Sequence, residues 1–361
     1  MSSNKIELQY DYIICGHGIA GAVLAHTLQQ RGKKVLIYEG HLPYSASAAA
    51  AGLWNPLSFK NLKLTWRANE FLDDAESFYT RIEKASKRSF FHPLEMSRLF
   101  HSIADANEWD TRSTSESLIN HITSDKTNKL TATVDQPYGY GVVKQSGWLN
   151  TPEFLIASKS LLNDHFREET LDYSNLEIST NGVRYKEVIA EKIIFCEGYR
   201  IISNPWFKYL PVEPNKGQVQ TLRSEFASDD RIFHFGKFLL PLGDKVFRYG
   251  ATYEFFDPHP EPTSVSSEQM QTELKAVCSD TFEILEEKTG YRPTLPDRKP
   301  LLGLHPTHSE LAIFNGMGSR GVIMAPLCAL HFADFLEGTC ELDPNLNIER
   351  YRRLFSYTKK C

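Results

Sequence analysis

Apolar runs that break off at glycine set the pattern of the N-terminal segment. Tyr10 to Cys15 (YDYIIC) is rich in β-formers and stops at Gly16, Ile19 to Gln30 has helical composition and stops near Gly32, and Lys33 to Glu39 (KKVLIYE) is the next apolar run. The order predicts a strand, a helix with its C-cap at Gly32 and a second strand, together about thirty residues, the size of a right-handed parallel crossover. An α/β sheet is the expected class. Ser45 to Pro56 (SASAAAAGLWNP) is too rich in Ala and Gly for a packed strand and reads as a close-approach loop or a helix start. Trp66 to Lys87 reads as a helix, and Thr111 to Asn128, rich in Ser, Thr, Asn and Asp, as a surface loop or variable subdomain. Ile193 to Gly198 (IIFCEG) repeats the strand-then-glycine pattern, which places a second strand beside the first and makes the domain discontinuous. Residues 216–256 read as hairpin material with Gly243-Asp244 as a turn, and 267–289 as an amphipathic helix. Leu311 to Gly316 reads as a strand and Gly321 to Glu337 as a helix, with Pro326 near its first turns, where a missing N–H is tolerated.

The 361 residues are 41% hydrophobic and 24% charged, material for a large core or two domains. Net charge is -5 and Lys and Arg form no run, so nucleic acid is not expected as the partner. Cys15, Cys196, Cys278, Cys328, Cys340 and Cys361 show no C-x-x-C spacing and point to a reducing compartment. No apolar leader precedes the first strand, and no run approaches the roughly eighteen apolar residues of a membrane span, so a cytoplasmic protein without membrane contact is expected. The twelve histidines form no H-x-x-x-H or H-E-x-x-H pair, and no metal site is expected.

Gly16-His17-Gly18-Ile19-Ala20-Gly21 satisfies G-x-G-x-x-G between a predicted strand and a predicted helix. Gly16 allows the tight turn, Gly18 lets backbone approach a pyrophosphate, and Gly21 allows close helix-to-strand packing. The helix starting near Ile19 offers free N–H groups and about half a positive charge to the diphosphate. Glu39, at the end of the second strand, is placed to accept the ribose hydroxyls, and its carboxylate disfavours NADP. His17, at a variable position of the motif, has no required role and reads as a bystander. The fingerprint leaves FAD and NAD both open.

Five further segments resemble the D-amino acid oxidase family of flavoproteins, which includes glycine oxidase and monomeric sarcosine oxidase. Ala48-Ala49-Ala50-Ala51-Gly52-Leu53 resembles that family's small-residue loop beside the flavin, and Lys216-Gly217-Gln218 its K/R-G-Q strand. Arg248 to Glu254 (RYGATYE) is similar to its I-G-A-T-x-E strand, and Tyr291-Arg292-Pro293 through Gly303 to its R-P-x-x-x-D-x-x-P-x-I-G segment. Gly316-Met317-Gly318-Ser319-Arg320-Gly321 with Ala325-Pro326 completes the order, and this stretch is similar to the oxidase half of the bifunctional enzyme that trims a carboxymethylaminomethyl group from tRNA wobble uridine. Neither that enzyme's methyltransferase partner domain nor the basic face that tRNA needs is expected in these residues.

The resemblance implies an FAD-binding Rossmann-like domain of the β-β-α type (1–85, 150–215 and 291–361) with an inserted, mainly antiparallel α+β substrate domain (86–149 and 216–290). It implies non-covalent FAD, because Cys328 lies in the C-terminal helix and not at the family's attachment segment. The cofactor contacts it implies are Gly16, His17, Gly18, Ile19, Ala20, Gly21, Glu39, Gly40, Ala46, Ser47, Ala50, Ala51, Gly52, Cys196, Gly198, Gly318, Ser319, Arg320, Gly321 and Val322. The implied reaction is oxidation of the C–N bond of a small amino acid or secondary amine by hydride transfer to flavin N5, with oxygen or a quinone-type carrier as acceptor. Arg292 falls where the family grips a substrate carboxylate, the alternative being a strand-edge arginine paired with Asp297 or a backbone carbonyl. Arg320, in the turn before the last helix, is placed for substrate or for the flavin pyrimidine edge, towards which that helix points its N–H groups. Trp54, Asn55, Phe238 and Tyr253 are candidate pocket walls. Phe238 stands where some relatives carry a tyrosine, so that hydroxyl is missing and a glycine-like substrate is disfavoured. Oxidation of a 2-hydroxy acid, or a non-catalytic nucleotide-binding module, are the competing readings.

Overall fold

The computed structural model describes residues 8–124, 134–226, 230–255 and 257–358; residues 125–128 of the polar stretch, residues 227–229 and 256 of the hairpin region and Cys361 lie outside them. β1 (Leu8–Cys15), α1 (Ile19–Gln30) and β2 (Val35–Tyr38) form the expected crossover, with β1 and β2 parallel. Ile13, Ile14, Leu36 and Ile37 have no exposed surface, as strands covered on both faces require. The small-residue stretch forms one turn of helix, α2 (Ala46–Ala49), followed by α3 (Ala68–Ser86) and α4 (Thr151–Leu161). In the polar stretch a helix spans Ile103–Ser113 and a short strand Ile122–Ser124.

β3 (Val188–Phe195) lies parallel to β1 on the side away from β2, pairing Ile193 with Ile13. The second long strand therefore does sit beside the first, although about half the chain separates them.

The other sheet centres on β4 (Glu213–Arg223), flanked by β6 (Val246–Gly250), which pairs in turn with β5 (Phe238–Gly243). The β5–β6 turn is centred one residue beyond the predicted pair, on Asp244 and Lys245, both with positive φ (49° and 62°) as a primed hairpin turn requires. The amphipathic helix expected over 267–289 is only α5 (Ser264–Lys275), because β7 (Glu283–Thr294) pairs antiparallel with β4 along its whole length. The first half of β7, EILEEK, is good helix-forming sequence, but a long ladder beside β4 overrides that preference. β7 also runs through the boundary expected at 290/291, which keeps Arg292 in the sheet of β4.

α5 covers one face of this sheet, where Met270 and Leu274 pack with Leu239, Phe247 and Tyr249. The opposite face carries Phe238 and Leu240, packed with Ala51, Leu53 and Leu57 from the stretch after α2.

β8 (His308–Asn315) returns to the first sheet, parallel to β3, and leads into α6 (Gly321–Leu336). α6 packs with α1 and α3 in the largest core cluster, through Val322, Ile323 and Phe332 among others. Pro326 lies too deep in α6 for its missing N–H to be one of the free ones. The Val322 carbonyl that it leaves without a helical donor accepts instead from the Tyr79 hydroxyl of α3, at 2.9 Å. Among the described residues no helix is long and apolar enough to cross a membrane.

Candidate active site

The β1–α1 turn is glycine because neighbouring backbone occupies the space of side chains. Gly16 has φ 100°, and a Cβ there would lie 2.7 Å from the Cys196 carbonyl oxygen at the end of β3. A Cβ at Gly21 would run into the Gly16 carbonyl, and one at Gly40 into Thr170. Gly18 caps α1 without a side chain, next to Ser47 of α2, whose hydroxyl accepts from the Ile19 N–H at 3.1 Å. The Glu39 carboxylate accepts from the His17 backbone N–H, while burial pushes its pKa up.

The His17 side chain points away from this turn. Its Nε2 lies 2.8 Å from Ser158 Oγ of α4, the same hydroxyl that His26 Nε2 meets at 3.0 Å, and its ring stands edge-on to Phe166. Burial holds the pKa of His17 down to about 3 and that of His26 to about 4.

At the end of β3, Cys196 N donates to the Cys15 carbonyl at 2.8 Å, and Asn315 Nδ2 donates to the Gly198 carbonyl at 3.1 Å, tying the ends of three parallel strands together. Glu197, which sequence reasoning passed over, is buried here and accepts from Cys15 Sγ, Tyr173 Oη and Asn204 Nδ2. A buried acid is read from sequence only once its donors are known, and these come from three separate segments.

β8 brings the second glycine turn against the first. Gly318 takes φ 55°, Ser319 is exposed, and Arg320 is the N-cap of α6. A Cβ on Gly321 would come within 3.7 Å of Ile19 Cγ2, so α6 starts beside the start of α1, with Val322 buried behind it. Arg320 reaches across to the stretch after α2, donating to the carbonyls of Asn55 (3.3 Å) and Leu57 (2.7 Å). Ala50, Ala51 and Gly52 precede that contact, and at Gly52 (φ 70°) a Cβ would collide with the Leu149 carbonyl. Trp54 is core packing, stacked on Phe91 at 5.0 Å, and its indole N–H has no partner among the described residues. Asn55 Oδ1 accepts from the Leu57 N–H.

Ala46 and Ala49 pack against Gly290 of β7, two residues from Arg292. Arg292 stands opposite Asn215 on β4; its NH1 donates to Asn215 Oδ1 at 2.7 Å and to the Thr252 carbonyl at 3.2 Å. Its guanidinium carbon lies 4.3 Å from the centre of the Tyr253 ring, itself 64% exposed. Gly217 is bare beneath it, since a Cβ there would overlap the guanidinium. Asp297, the acid weighed as its partner, is held by Arg350 at 2.9 Å. Burial lowers the Arg292 pKa. Lys216 points to the opposite face, fully buried, with Asp257 at 2.7 Å.

Residues 11–335 match the family model described as FAD dependent oxidoreductase (DAO). The chain belongs to this family. It is an FAD-dependent oxidoreductase. The groups in place fit FAD: bare backbone at Gly18, two helix N-termini side by side for negative charge, and an unpartnered buried donor on Trp54. Among curated proteins, the bifunctional protein MnmC of tRNA 5-methylaminomethyl-2-thiouridine biosynthesis from Marinobacter nauticus is 26% identical over 95% of this chain. The same-named protein from Leptospira borgpetersenii is 25% identical over 90%. The chain spans 57% of the length of each. Among solved structures, glycine oxidase from Geobacillus kaustophilus superposes with TM-score 0.79 at 17% identity, covering 95% of this chain and 98% of that one. Iminodiacetate oxidase from Chelativorans sp. BNC1 gives 0.76 at 18% identity (94% and 98% covered), and L-proline dehydrogenase from P. horikoshii 0.79 at 14% (96% and 99%). These likenesses show the shared fold.

Proposed function

We propose that this oxidoreductase oxidises the C–N bond of a small amino acid or secondary amine that carries a carboxylate. The observation that carries the reading is the Arg292 guanidinium, which is half-buried yet bonded only to neutral oxygens, those of Asn215 and Thr252. A partly desolvated cation without an acid partner favours an incoming anion, and a guanidinium pairs a carboxylate through two parallel bonds. Glycine oxidase, iminodiacetate oxidase and L-proline dehydrogenase, the proteins whose fold it shares, are named for substrates of this kind.

Bound FAD supplies the hydride acceptor. Gly16 to Gly21 and Glu39, with Ser47, would hold its nucleotide half, with Cys196 and Gly198 beside it. Arg320, held by the Asn55 and Leu57 carbonyls, and the N-terminus of α6 would supply positive potential to the reduced flavin. Arg292 fixes the substrate carboxylate while Phe238 and Tyr253 wall the site. Cys328 is buried within α6 and its thiol pKa is raised to about 12, which favours non-covalent FAD. Because β4 and β7 each stay whole in the second sheet, the flavin part is assigned to 1–85, 150–212 and 295–361 and the substrate part to 86–149 and 213–294.

A second reading keeps the chemistry and enlarges the substrate. The curated relatives, which align over nearly the whole chain, act in tRNA biosynthesis by name, and the amine would then sit on a modified tRNA base. An anaerobic screen of amino acids, N-methylated amines, 2-hydroxy acids and tRNA, scored by bleaching of the bound flavin, tests both. Bleaching by carboxylate-bearing small amines is expected; bleaching by hydroxy acids alone, or by none of the four, refutes the C–N reading. Peroxide release on aerobic turnover marks oxygen as the acceptor, and its absence a quinone-type carrier.

A further inference from the structure

We propose that Asn215 is a specificity-determining residue of this site: its amide oxygen orients Arg292 and its amide N–H completes the cradle for the substrate carboxylate. The inference rests on the carboxylate grip proposed above and adds a second donor to it. Asn215 and Arg292 face each other across the β4–β7 ladder on the sheet face that carries Gly217 and Gly290, against α2. The 2.7 Å bond from Arg292 NH1 identifies the near atom of the Asn215 side chain as oxygen, because a guanidinium has no acceptor to offer. Nδ2 must then point elsewhere. Asn215 is fully buried, and its Nδ2 has no hydrogen-bond partner among the described residues. A buried amide N–H is almost always bonded, and an exception calls for a missing acceptor.

Two consequences follow from the choice of a neutral side chain here. NH1 is taken by Asn215 and Thr252, so the guanidinium presents its remaining Nε–NH2 edge, which makes no other hydrogen bond among the described residues. The positive charge also stays uncompensated, whereas an aspartate of the same shape would neutralise it and repel an incoming carboxylate. The site is thus set for a ligand that brings one negative charge and at least two acceptor oxygens.

Asn215→Asp and Asn215→Ala test this in the FAD-loaded enzyme, with benzoate and its neutral analogue benzamide as probes titrated by the flavin absorbance shift. Wild type is expected to prefer benzoate. Asn215→Asp keeps the Arg292 contact, yet benzoate should bind about a hundredfold more weakly, and Asn215→Ala about tenfold, with benzamide affinity and flavin content unchanged. Benzoate affinity within threefold of wild type in both variants overturns the role of Asn215 while the Arg292 grip stands. Loss of flavin or of fold in both variants also overturns it, since Asn215 would then be structural. A wild type that does not discriminate benzoate from benzamide removes the grip itself, and the role of Asn215 with it.

Discussion

Removing one hydroxyl, in Tyr79→Phe, should destabilise the protein through the backbone of a different helix. Tyr79 has no exposed surface, and its ring, stacked on Phe91 at 5.3 Å and edge-on to Phe154 at 5.2 Å, keeps those contacts as phenylalanine. What is lost is the 2.9 Å bond to the Val322 carbonyl, which Pro326 cannot satisfy. A buried carbonyl left unpaired costs about 1–3 kcal/mol. At about 2.1 cal/mol/K per residue, that lowers Tm by roughly 1–4 °C in a chain of 361 residues. The decisive assay is a thermal double-mutant cycle on the FAD-loaded enzyme. Pro326→Ala supplies the N–H that α6 lacks, so in that background Tyr79→Phe should cost less than half as much. Equal costs in both backgrounds would refute the substitution of a tyrosine for a helical hydrogen bond.

Acid should act through the pair of histidines on Ser158. Both pKa values are depressed, so below about pH 6.5 the unfolded chain takes up protons that the folded chain refuses, and stability is complete above that pH and lost as pH falls towards about 4 and 3. Between pH 6.5 and 5 the loss is about 2 kcal/mol per histidine, so His17→Gln should flatten the urea-midpoint slope in that window, and an unaltered slope would contradict the assignment. Gly217→Ala pushes a methyl group into the Arg292 guanidinium and should raise KM for a carboxylate substrate about tenfold or more with flavin content unchanged; an unchanged KM would show that Arg292 need not lie where it does. Arg292→Ala should raise KM far more than it disturbs FAD content, and equal loss of flavin would argue for a structural arginine.

The parallel crossover, the strand at Ile193 and the last helix were legible because each is a local pattern with a glycine at its end. Residues 276–294 were not, since EILEEK favours helix by itself and becomes strand only beside β4, some sixty residues earlier in the chain. The same distance hid Tyr79, whose partner lies 243 residues away, and Asn215, whose partner lies 77 away. Local spacing showed which residue types could bind a nucleotide. Which buried polar groups have partners depends on contacts between elements far apart in sequence, and Glu197, Asn215 and Tyr79 all belong to that class.

The neighbouring starts of α1 and α6 join residues near 19 and 321, with Ile19 against Gly321. During synthesis, the first helix waits for nearly the whole chain before its N-terminus meets its counterpart, and the C-terminal end of β3, Ile193 to Phe195, waits for β8 to cover its edge. A ribosome-bound chain that has emerged only through β7 therefore holds the first glycine turn but not the second helix start, and if both turns hold the cofactor as proposed, full cofactor affinity would arise only once α6 has emerged. Retention of flavin reports on completion of the fold as much as on the chemistry of the site.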